Sequence, residues 1–108
     1  MAQFLVQVAY TSEAWASLVK NPQNRIPAVS AVVKKLGGKL LHGWLSFGDY
    51  DTVVVMEMPD NVSAAAFAAA IAGGGACRSI KTTPLLSADE GVAAMKKAGS
   101  SGYQPLGK

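Results

Sequence analysis

A strand that is apolar on both faces must be covered on both, and this chain contains more than one of them. Residues 3–10 alternate with a period of two: Phe4, Val6, Val8 and Tyr10 against Gln3, Leu5, Gln7 and Ala9. Lys39–Phe47 sets Leu41, Leu45 and Phe47 against Leu40, His42 and Trp44. Asp51–Met58 holds the continuous β-branched run Val53–Val55, the pattern of a strand buried on both sides. Cys77–Thr83 supplies a fourth strand, closed by Pro84.

Between these strands the apolar period lengthens to that of helices. Thr11 or Ser12 caps a short helix carrying Trp15, Leu18 and Val19 as a stripe. Asn21-Pro22 interrupts it, because proline disfavours a helical residue before it. A second helix follows with Val29, Val32, Val33 and Leu36 on one side, Pro27 in or before its first turn, and Gly37-Gly38 at its end. Gly48-Asp49 opens a tight turn between the second and third strands. An alanine-rich helix capped by Asp60, Asn61 or Ser63 carries Phe67 and Ile71 and stops at Gly73-Gly74-Gly75. Ser87 and Glu90 form a capping box for a last short helix to about Lys97. Gly99–Gly102 then links to a tail, Tyr103–Lys108.

The order β-α-β-β-α-β is that of an α+β, ferredoxin-like domain over residues 1–86, with 87–108 as a C-terminal helix and flexible tail. Two main helices cover one face of a four-stranded antiparallel sheet. The other face, roughly 350 Å² at ordinary strand spacing and length, is left to find a cover. Composition sharpens this point, because only 16% of the 108 residues are charged, against about 25% in typical domains. The expected cover is a second copy of the sheet, in a homo-oligomer of at least two chains.

The C-terminal helix and RNA are the competing covers, the latter because RNA-recognition motifs share this topology. They stack bases on central-strand aromatics beside basic residues. Thr52–Met58 has neither, and nucleic acid is not expected as a partner. The net charge of +3 is spread along the chain, and Lys34, Lys35 and Lys39 fit a helix C-terminus. No stretch approaches the ~18 apolar residues of a membrane span. Met1–Phe4 lacks a basic start, and the single cysteine, Cys77, favours a reducing compartment, so the expected location is the cytoplasm.

Particular residues narrow the family. Gly37-Gly38-Lys39, then Trp44-Leu45-Ser46-Phe47-Gly48-Asp49-Tyr50-Asp51, then a β-branched strand, Met58-Pro59-Asp60 and the alanine-rich helix resemble the GYD domain. Arg78–Leu85 is similar to that family's last strand, and the resemblance covers residues 3–86. It implies a dimeric α/β barrel in which two sheets pack face to face. It carries no general catalytic assignment. Relatives by fold include quinol-type monooxygenases and lactone isomerases that need no cofactor.

Two functional readings follow. In the first, the protein binds a small apolar molecule or acts through assembly. Trp44, Trp15, Tyr10 and Leu40 are then the candidate pocket residues, since aromatic walls with few polar groups suit such ligands. In the second it is a cofactor-independent enzyme. His42, the sole histidine, is then the general base, assisted by Tyr50, Asp49 or Asp51. The Gly48–Asp51 turn also has a structural reading, with Asp49 or Asp51 accepting backbone hydrogen bonds. A lone histidine does not make a zinc site, and the turn offers too few ligands for other metals. Gly73–Gly75 follows a helix, whereas phosphate loops precede one. No metal or cofactor is therefore expected.

Overall fold

The strand alternations and helix caps form the expected elements in the computed structural model, which describes residues 1–107. In chain order they are β1 (Ala2–Tyr10), α1 (Ser12–Lys20), α2 (Ile26–Lys35), β2 (Lys39–Leu45), β3 (Thr52–Met58), α3 (Asn61–Gly73), β4 (Cys77–Leu85) and α4 (Ala88–Gly99). The Thr11 hydroxyl accepts the Ala14 N–H at 3.1 Å and starts α1. Pro27 sits in the first turn of α2, where its missing N–H is harmless. Gly37, at φ +87°, turns the chain out of α2. Asp60 caps α3 by accepting the Ser63 N–H at 2.7 Å, and that bond holds its carboxyl below the ordinary value.

The sheet has the order β2-β3-β1-β4 and is antiparallel throughout. This is the ferredoxin-like arrangement. Phe4, Val6 and Val8 of β1 and Val54, Met56 and Met58 of β3 pack with Val33 of α2 and with Ala64 and Phe67 of α3. The core therefore lies between one sheet face and α2 with α3.

Three expectations are corrected. First, Leu40 does not share a face with His42 and Trp44. Leu40 pairs with Met56 and His42 with Val55, so Leu41 is an extra residue in a β-bulge. The bulge turns Leu40 to the core while His42 and Trp44 oppose the half-buried Val55 and Val53 on the outer face. Second, Pro84 does not close β4; it pairs with Phe4 and the strand runs on to Leu85. An edge strand tolerates a proline whose missing N–H side faces away from the ladder. Third, the face left to find a cover is only partly apolar. Leu5, Val53, Val55 and Trp44 are neighbours there, but β4 contributes Ser79, Lys81 and Thr83.

The last helix stands apart. The capping box forms as the spacing predicts, with the Glu90 N–H donating to the Ser87 hydroxyl at 3.1 Å and the Ser87 N–H to the Glu90 carboxylate at 3.0 Å. Yet α4 buries none of its residues. The described chain measures 57 × 34 × 22 Å with a radius of gyration of 17.3 Å, where a compact domain of this length has about 13 Å. Of the expected tail, Lys108 lies outside the described residues.

Candidate functional site

Gly48-Asp49-Tyr50-Asp51 closes the β2–β3 connection as a loop wider than a tight turn. The Ser46 N–H reaches the Asp51 carbonyl at 2.8 Å, the Ser46 hydroxyl donates to the Tyr50 carbonyl at 2.7 Å, and Gly48 takes φ +135°. Asp51 then ties this loop to a distant part of the chain. Its N–H donates to the Val8 carbonyl at 2.8 Å. One carboxylate oxygen, Oδ2, accepts the Tyr10 N–H at 2.8 Å and the Trp15 indole N–H at 3.3 Å. The structural reading of Asp51 thus has a definite content, since it fixes the end of β1 and the indole of α1 relative to the sheet.

That clamp shapes a cavity. The Trp15 ring meets Tyr10 edge-on at 5.4 Å, and the Tyr10 hydroxyl pairs with the buried Thr52 hydroxyl at 2.8 Å. Around them a space of about 730 Å³ opens between α1, α2 and the ends of β2 and β3. Its apolar wall is Trp15, Leu18, Val19, Ile26 and Val29; its polar rim is Gln23, Asn24 and Arg25. A second space of about 260 Å³, reaching Phe67 and Ile71, shares Tyr10, Arg25, Val29 and Thr52 with the first. The volume of the larger space lies in the range of small-molecule sites.

Of the eight sequence-predicted site residues, Tyr10, Trp15 and Asp51 come together here. Trp44 borders the same space, but its ring stacks on His42 at 5.3 Å and 15°. Gly43 between them is the residue whose side-chain direction points at Ile26, so His42 and Trp44 project to the outer face. His42 lines neither cavity, nor do Asp49, Tyr50 and Leu40. Among the described residues no three His, Cys, Asp or Glu side chains are grouped to hold a metal ion. Cys77 is half-buried, its thiol 3.7 Å from the Ile71 carbonyl.

Sequence reasoning missed Thr52, Arg25 and, in the α1 stripe beside Trp15, Leu18 and Val19 as site residues. The stripe was visible at helical spacing, but such spacing reads as core. In the fold α1 buries nothing, and Leu18 and Val19 face an open space. Arg25 gave no signal, since a cation before Ile26-Pro27 has no motif around it.

The GYD domain family's profile matches residues 4–95. The chain belongs to the GYD domain family. The match extends past residue 86 into α4, further than the motifs alone reached. Among solved structures, this GYD domain is similar to MtbAldR at TM-score 0.56 and 14% identity, over 80% of this chain and 52% of that one. It thus spans about half the length of MtbAldR, and the likeness is one of fold. A protein from Thermus thermophilus aligns at TM-score 0.47 and 14% identity, over 82% of this chain and 96% of that one. No curated protein matches the sequence. No helix among the described residues is long and apolar enough to cross a membrane.

Proposed function

We infer that this GYD domain is a binding module: it holds a small, mostly apolar molecule between α1, α2 and the sheet, and works as a homodimer joined through the outer sheet face in a reducing, cytoplasmic setting. The observation that carries the binding reading is the 730 Å³ space walled by Trp15, Leu18, Val19, Ile26 and Val29. An open groove of that size lined by apolar groups is wetted, and an apolar guest that displaces the water removes apolar surface from it. The Tyr10 and Thr52 hydroxyls pair at 2.8 Å, which occupies one of their two protons, so the wall asks for at most one acceptor from the guest. General-base chemistry by His42 gains no support from a ring stacked on Trp44 outside both cavities.

The test uses 1-decanol as probe. Saturating alcohol is expected to raise the melting temperature and to shift the Trp15 indole N–H resonance in a proton–nitrogen correlation spectrum. His42→Ala is expected to bind it equally well. Unchanged melting and an unmoved Trp15 resonance overturn the reading.

A further inference from the structure

We propose that the guest of this cavity is an amphiphile with one anionic head, of the carboxylate class, held by Arg25. The inference rests on the binding reading above and adds the charge of the ligand. Apart from the paired Tyr10 and Thr52 hydroxyls, the polar side chains lining the cavity are the consecutive Gln23, Asn24 and Arg25 at its rim. On that rim each side-chain acceptor already holds one donor. The Gln23 side-chain oxygen accepts from Arg25 Nη1 at 3.3 Å, and the Asn24 side-chain oxygen accepts the Ile26 N–H at 3.0 Å. The donors are in surplus, because a guanidinium carries five N–H groups and Arg25 directs one of them to Gln23. A rim rich in donors and short of acceptors is complementary to an acceptor that needs several donors at once, which is a carboxylate.

Charge points the same way. Neither cavity is lined by Asp or Glu, whereas Arg25 borders both. Asp51 is the one carboxylate tied to the wall, and its Oδ2 is taken up by the Tyr10 and Trp15 N–H groups. The Arg25 contact to a neutral amide is long at 3.3 Å, and exchanging it for a two-pronged bond to a carboxylate is favourable because ion-assisted bonds are the stronger kind. The five wall residues accept the chain of the amphiphile while its head stays at the exposed rim. That geometry avoids burying a charge.

Decanoate and 1-decanol separate this inference from the reading beneath it. They share a ten-carbon chain and differ in the head. By calorimetry at neutral pH and low salt, the intact chain is expected to bind decanoate at least tenfold more tightly than decanol. Arg25→Met is expected to bring decanoate down to the decanol level and leave decanol unchanged, while Arg25→Lys retains part of the preference, since an ammonium lacks the planar fork. Equal affinity of the intact chain for both probes overturns the anionic head and leaves the apolar reading standing. A preference that survives Arg25→Met overturns the role of Arg25. Binding of neither probe overturns both readings.

Discussion

Gly37 and Gly38 stand side by side and serve different ends. Gly37 has φ +87° and meets nothing closer than an ordinary contact with Pro59, so its glycine is a matter of backbone conformation. Gly38 has an ordinary backbone, but a methyl group there would overlap the Glu57 carbonyl oxygen and the Met58 sulfur. Backbone does not move aside easily. Gly38→Ala is therefore expected to destabilise the fold by about 3 kcal/mol, the upper end for overpacking, and Gly37→Ala by about 1 kcal/mol, the left-handed penalty. Urea unfolding of the two variants measures both, and equal losses would contradict the distinction. Only the first role was legible in the sequence, because a glycine after an apolar stripe ends a helix whatever surrounds it. The second depends on a strand that arrives nineteen residues later in the chain, at Glu57. Asp51 divides in the same way: its habit of accepting backbone hydrogen bonds was readable, but its partner Tyr10 lies 41 residues away.

Elements were read well where their signals are local, and less well where one extra residue changes a face. All four strands and the split between α1 and α2 followed from alternation, proline and caps. The bulge at Leu41 did not, because with apolar residues on both faces of Lys39–Leu45 a one-residue slip leaves no mark in the pattern, and it shifts Leu40 away from His42. Caps yield the prediction at this scale. The backbone bond from Ser87, then its side-chain bond, hold the Glu90 carboxyl below its ordinary value. A carboxyl with a lower value in the folded state stabilises above its unfolded value, and that contribution is lost as pH falls through the folded one. The Asp60 cap of α3 obeys the same sign. The helices differ in what else holds them: α3 buries Ala64 and Phe67, while α4 buries nothing. Acidification through the lower carboxylate range is therefore expected to fray α4 while α3 stays formed, seen as a loss of amide-exchange protection, relative to the intrinsic rate at each pH, from Gly91 onward. Glu90→Gln should flatten that pH dependence, and simultaneous loss of both helices would refute it.

The whole molecule exposes more surface than a chain of its mass needs to. Its accessible area is 7485 Å², against about 5,700 Å² for a compact monomer of this mass. The difference exceeds the roughly 800 Å² per partner of a standard stable interface. Two features carry part of the surplus, beside the exposed tail with Tyr103 and Leu106. One is the outer-face patch of Leu5, Val53, Val55 and Trp44, which the register makes contiguous. The other is α4, whose apolar side carries Val92 and the 72% exposed Met95, preceded by the exposed Leu86. The sheet face alone is partly polar, with Lys81 and Thr83 along β4, and is a modest interface by itself. The low charged fraction of the sequence pointed to hidden surface; it had no means of saying that part of it lies on a helix projecting from the body. A second copy that covers the patch and receives α4 hides both. By sedimentation equilibrium the full chain is expected to be a dimer at micromolar concentration, and Val55→Lys to be a monomer, because two like charges then meet across the facing sheets. Truncation after Leu86 is expected to leave a folded chain, since no core residue is lost, whose dimer dissociates at least tenfold more readily. A truncated chain that dimerises as tightly as the full one would confine the interface to the sheet, and a full chain that sediments as a monomer would remove it altogether.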